Sequence, residues 1–275
     1  MADKMVFLSH IHEERELAGH IKAAIEEEFS GFVDVFVSSD GISIPAGSNF
    51  LRRIEDGLVN CIGAIYLISP KSVNRNWINF ELGAIWIRNA ISLRSGGKEI
   101  PALPMCHSGI EPSNLPNPIN DLNAVRANET AGLRFALTSL QAAVGGRGNL
   151  KTDIDALVAQ VSAFEKSYTI DANILRALEA LGIGPAELAS LRAWMHTISS
   201  TPPRPEFITF DDMVVDSYPA PVLYNLTEGA LKGFLLIEIK ASVMGFRGGK
   251  PVNGPSLRVQ FLSSALASAL KIENV

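Results

Sequence analysis

Glu81 and Trp77 are a pair of residues whose types and spacing could do chemistry together. Trp77 lies four positions before Glu81 in the segment WINFELGAIW, so on a helix the indole and the carboxylate share one face. A carboxylate held in a crevice stabilises developing positive charge, and an indole stacks on a cationic ring for about 0.5–2 kcal/mol. The same two residues also suit plainer roles, a charge that compensates a helix dipole and an aromatic anchor of the core. Ser9 and His10, then Ser38, Ser39 and Asp40, and finally Ser69 follow apolar runs where a chain leaves a sheet. Ser38, Ser39 and Asp40 suit hydroxyl or phosphate recognition, or turn capping, and His10 reads as a polar strand-end residue. His107 beside Cys106 has no further ligand in range, and Cys61 lies far off, so metal-type spacing is absent and both thiols read as buried and reduced. The run Gly41–Gly47 (GISIPAG) lacks the GK[ST] ending of a phosphate loop.

The elements that must position these groups alternate strand and helix. Short apolar runs at Met5–Ser9, Asp34–Ser38, Ile62–Ile68, Ile100–Met105 and, more weakly, Leu122–Val125 read as strands covered on both faces. Between them helical periods are expected at Glu13–Phe29, around Phe50–Leu58 and at Trp77–Asn89, with a last helix over Glu129–Val144. Glu26–Glu28 is expected to form the solvated side of the first helix. Short links between alternating elements imply parallel pairing with right-handed crossovers, an α/β fold of flavodoxin type in strand order 2-1-3-4-5. That order reverses between the first and third strands, and ligands of open α/β sheets bind beyond the carboxyl ends there. Phe7, Ser9, His10, Ser38 and Asp40 are then candidate binding residues, although Phe7 serves equally well as core.

Composition bounds the rest. The 275 residues are 47% hydrophobic and 19% charged, enough for one large or two ordinary domains with buried cores. A formal net charge of -5 argues against non-specific binding of nucleic acid by the whole chain. Neither a signal peptide nor a run of about 18 apolar residues is evident, so a cytoplasmic protein without a membrane span is expected.

Taken together, VFLSHIHEERELAGHIKAAIEEEF, VDVFVSSDGISIPAGSNFLRRIEDGL and IGAIYLISPKSVNRNWINFELGAIW resemble a bacterial TIR domain across residues 5–145. The order and spacing of the FLSH strand end, the SSDGISIPAG loop, the YLISP strand end and the WxxFE segment carry the likeness. TIR domains include signalling scaffolds and enzymes that cleave NAD. For the enzymes the resemblance implies catalysis by a glutamate on the helix after the third strand, here Glu81, with Trp77 flanking the nicotinamide. It implies NAD as substrate with no cofactor or metal, self-association through TIR units involving the SSDGISIPAG loop, and a place in anti-phage defence. His10 and His12 depart from the serine and acidic residue that many relatives carry there. A scaffold without catalysis is the rival expectation, and a DNA-binding regulator a third.

Val144–Asn149 (VGGRGN) suggests a boundary between a domain at 1–145 and a smaller α-rich or α+β domain at 146–275. Helical periods are expected there at Ile154–Phe164, Ile174–Leu181, Pro185–Ile198, Thr227–Lys240 and Ser263–Leu270, with a strand at Leu257–Phe261 and a turn at Gly248–Gly249. Lys240, Arg247, Lys250, Arg258 and Lys271 make this ending basic, in a pattern similar to a winged helix. A packing domain, or a sensor for a nucleotide or protein trigger, fits equally.

Overall fold

The computed structural model describes residues 4–38, 50–199, 205–214, 220–247 and 250–272. The chain divides into two compact units, residues 1–165 and 166–275. In the first, β1 (Lys4–Ser9), β2 (Val33–Val37), β3 (Gly63–Ile68), β4 (Ala102–Cys106) and β5 (Val125–Arg126) form one sheet in the order β2-β1-β3-β4-β5. Every pairing in it is parallel, with Ser9 opposite Tyr66 and Ile68 opposite Cys106. The flavodoxin-type order expected from the alternation is the order observed.

All six residues of β3 are buried, which is why this strand reads as an unbroken apolar run. Alternate side chains feed two layers. Phe7, Tyr66 and Ile68 join Ile54 and Leu58 of α2 (Phe50–Asn60) and Ile78, Leu82 and Ile85 of α3 (Asn76–Arg94) in one core cluster. Helices α1 (Arg15–Glu28) and α4 (Thr130–Ala143) bury Leu17, Ile21 and Ile25, and Leu133, Leu137 and Leu140. Leu140 reaches β3, where a Cβ on Gly63 would meet its Cδ2 at 2.7 Å. The fifth strand begins later than its apolar run suggested and holds two residues, Val125 and Arg126.

The first unit continues past the glycine-rich segment Val144–Asn149 into α5 (Ile154–Ala180). One oxygen of the buried Glu28 carboxylate, at the end of α1, accepts both the Lys151 and Thr152 amides and the Thr152 hydroxyl, each at 2.8 Å. These bonds strap the start of α5 to the sheet layer. Two expected helical periods, Ile154–Phe164 and Ile174–Leu181, are parts of this one 27-residue helix.

In the second unit, β6 (Phe207–Val214), β7 (Leu235–Arg247) and β8 (Lys250–Leu262) form an antiparallel sheet in the order β6-β8-β7. Its core gathers Ile174 and Leu178 of α5, Met195 of α6 (Pro185–Ser199), Leu223 of α7 (Ala220–Glu228) and Leu266 of α8 (Ser263–Ala269) around Val259 and Phe261. The helix expected at Thr227–Lys240 is not formed. Its residues end α7, turn through Gly233 at φ 84° and enter β7. Leu235 is buried and Leu236 is not, the period of two that a strand imposes. Lys240 and Arg258 of this basic ending share one carboxylate, that of Asp211 on β6, at 2.8 Å and 3.2 Å. The expected turn at Gly248–Gly249 lies outside the described residues. No helix among the described residues is long and apolar enough to cross a membrane.

Two glycines test the packing of the first unit. A Cβ on Gly132 would stand 2.3 Å from the Arg126 carbonyl oxygen, whereas one on Gly83 would meet nothing within 4 Å. Gly132→Ala is expected to cost on the order of 1–3 kcal/mol by overpacking, and Gly83→Ala to stabilise by up to about 1 kcal/mol through helix propensity. Thermal unfolding of the two variants checks this, and equal effects would contradict the packing of α4 against β5.

Candidate active site

The reversal of strand order between β1 and β3 opens the sheet at their carboxyl ends, and two residues distant in sequence meet there. Ser9, the last residue of β1, donates its hydroxyl to Oε2 of Glu81 on α3 in a short hydrogen bond. Both side chains are buried, Glu81 fully so at 0% exposure. Its Oε1 is buried without a hydrogen-bond partner among the described residues. The helix is fixed by Tyr66 of β3, which donates its hydroxyl to the Glu81 carbonyl oxygen at 3.3 Å.

Burial raises the Glu81 carboxyl from its ordinary 4.5 to about 7, against the opposing hydrogen bonds from Ser9 and Trp77. A carboxylate with so little solvation is costly to keep ionised, so its charge is available to stabilise a cation brought beside it. Trp77, one turn ahead on α3, is 40% exposed and stacks on Phe80 with ring centroids 5.2 Å apart. Its indole is thus a group that faces solvent and also reaches the carboxylate.

Of the other expected binding residues, His10 and Ser38 are buried at the strand ends, where the Ser38 amide bonds the Leu8 carbonyl at 3.1 Å. Phe7 is fully buried, with its ring 5.6 Å from Phe36 and in the core cluster of α2 and α3, so its surface is spent on packing. Asp40 lies outside the described residues.

A second buried carboxylate, Glu14, sits at the same edge and had no signal in the sequence. Its Oε1 accepts the Ser69 hydroxyl at 2.6 Å and lies 3.3 Å from Nε2 of His107. Its Oε2 accepts the Ile11 amide at 3.1 Å. Burial acts to raise this carboxyl, but the His107 hydrogen bond and charge, the Ser69 hydroxyl and the Ile11 amide together bring it below the ordinary value. Two buried carboxyls at one sheet edge are therefore pushed in opposite directions, as in sites where two acids carry different duties. Among the described residues no group of three or more His, Cys, Asp or Glu is placed to hold a metal ion.

Comparison with known proteins agrees with this architecture. Residues 6–136 match the family profile described as a TIR domain, so the five-stranded unit contains one. No curated protein sequence matches the chain. One similar solved structure is that of the activated Roq1 resistosome directly recognizing the pathogen effector XopQ, in its TIR domains. It is 18% identical, with 61% of this chain and 84% of that chain covered and a TM-score of 0.32. Another is a metazoan TIR-STING receptor from C. gigas in complex with 2',3'-cGAMP, 13% identical, with 92% of this chain and 68% of that chain covered and a TM-score of 0.32. Likenesses this distant transfer neither ligand nor assembly.

The folded chain holds the Glu81 proton more tightly than the unfolded chain does. Glu81 therefore contributes stability that is present below about pH 4.5 and lost as the pH rises through about 7. Glu81→Gln removes that loss. The variant is expected to be more stable than wild type by up to about 3 kcal/mol near pH 8, and nearly equal near pH 4. Denaturant unfolding at the two pH values measures the difference, and an unchanged gap would mean that the carboxyl is not raised.

Proposed function

We propose that the TIR domain at residues 6–136 breaks the bond between nicotinamide and ribose in NAD, with Glu81 as its catalytic carboxylate. The observation that carries this reading is the buried Glu81 at the carboxyl end of the β1–β3 crevice, with the Trp77 indole one turn away. The leaving group departs as a neutral pyridine, taking the electrons of the C–N bond, so no general acid is required. Ordinary glycoside hydrolysis differs in needing two carboxyl groups. One carboxylate suffices if it stabilises the oxocarbenium-like ribose directly or through the ribose hydroxyls. The indole stacks on the cationic nicotinamide ring before it leaves.

Capture of the ribose cation by water gives ADP-ribose. Capture by an adenine nitrogen or a ribose hydroxyl gives a cyclic or isomeric ADP-ribose. We place the activity in the cytoplasm, in bacterial defence against phage, with the second unit receiving a nucleotide or protein trigger. The pairing of Lys240 and Arg258 with Asp211 weighs against a DNA-binding role for that unit.

A specific feature of α3 supports assembly, and with it the second reading of a scaffold. Trp86 is 71% exposed on this helix, and Ile87, Ile91 and Leu93 are exposed beside it. An exposed apolar patch of this kind is normally covered by a partner. We assign this face to a second copy of the TIR domain, so that cleavage depends on protein concentration.

Purified protein at high concentration is expected to release nicotinamide from NAD. Glu81→Ala should lower turnover by several orders of magnitude, and Trp77→Ala should mainly raise KM. Because the working form is the carboxylate, kcat/KM should rise with pH to a plateau, with a midpoint near 7. Chromatography of the products separates hydrolysis from cyclisation, and no release from wild type would move the reading to the scaffold. Ile91→Glu is expected to reduce both self-association in light scattering and activity at high concentration, and retention of both would exclude this face.

A further inference from the structure

The Glu14 network touches the same turn that carries Ser9. Ser9 holds Glu81, and two residues later the Ile11 amide is held by Glu14 Oε2 at 3.1 Å. The other oxygen of Glu14 meets two further elements: it accepts the Ser69 hydroxyl after β3 and lies 3.3 Å from Nε2 of His107 after β4. His107 is itself fixed on its second nitrogen, with Nδ1 2.9 Å from the Ser108 hydroxyl. Phe164 of α5 packs against the imidazole at 5.8 Å between centroids. The neighbouring Glu165 accepts the Ser108 amide at 2.6 Å and the Asn128 side chain at 2.8 Å. Buried polar groups linked in series have few alternative arrangements, because each broken bond leaves its partner unsatisfied.

We propose that Glu14 is a positioning residue for Glu81: it clamps the Ser9–Ile11 turn through the Ile11 amide, and His107 holds Glu14 in place. The inference rests on Glu81 being the catalytic carboxylate, and Glu14 acts on it through Ser9. Loosening the clamp frees the Ser9 hydroxyl, the strongest hydrogen bond that favours ionised Glu81. Removing the negative charge of Glu14 through space has the opposite sign, since a nearby anion disfavours ionisation of a second carboxyl. The direction of the change therefore separates clamping from simple electrostatics.

The test follows the Glu81 carboxyl by carbon NMR titration of the full chain, beside nicotinamide release from NAD. In Glu14→Leu, which offers the Ile11 amide no acceptor, the Glu81 midpoint is expected to move upward, with kcat falling about tenfold or more and KM little changed. His107→Gln keeps an N–H group toward Glu14 and is expected to stay close to wild type, whereas His107→Leu should behave like Glu14→Leu. A Glu81 midpoint that stays put or moves downward in folded Glu14→Leu overturns the proposal. Should Glu14→Leu not fold, the contrast between His107→Gln and His107→Leu decides in the same way. If wild type releases no nicotinamide while the Glu81 midpoint still rises in the variant, the clamp stands and the reading of NAD cleavage falls.

Discussion

The structure depends on one arrangement, a carboxylate kept out of water where a parallel sheet changes its winding direction. The desolvation that lifts Glu81 to about 7 comes from its burial on α3, whose Ile78, Leu82 and Ile85 share one apolar cluster with α2 and the strands. The same residue on an exposed helix face would stay near its ordinary value. The six buried residues of β3 are thus part of the chemistry as well as of the core. Tyr66 shows both roles in one side chain, with its ring in the cluster and its hydroxyl on the helix that bears Glu81.

The strands and helices of the first unit were legible because their signals are local. Runs such as IGAIYLI are too short and too β-branched for helices, and the periods of α1 and α3 are long. The pairing of Trp77 with Glu81 follows from helix geometry alone, and the place of Ser9 follows from strand order. Glu14 was not legible. It lies in HIHEERE, where a buried acid looks like the solvated start of a helix, and its partners Ser69 and His107 come from two other strand ends. Nothing in linear spacing announces a contact made by three separate turns. Phe7 shows the reverse difficulty, since a position at a strand end does not say which face its ring takes.

The second unit was read less well for a related reason. LTEGALKGFLLIEIK is rich in leucine, lysine and glutamate, which suit a helix, yet two glycines interrupt it and alternation begins at Leu235. Cross-strand partners then decide the outcome, with Leu235 opposite Phe261 and Ile237 opposite Val259. The single helix α5 was divided at Glu165–Asn173, where polar residues mask a continuous period.

The bonds from Phe164 and Glu165 to the His107–Ser108 turn bear on where this TIR domain can be cut. The family profile ends at residue 136, and the strap at Lys151 and Thr152 and the grip of Glu165 both lie beyond it. A fragment ending at residue 136 would strip the Ser108 amide and the Asn128 side chain of their acceptor and take Phe164 from the imidazole. It would also leave the Glu28 carboxylate facing water. The family limit and the smallest fragment that keeps the site intact are two different lengths, and the second runs at least to Glu165.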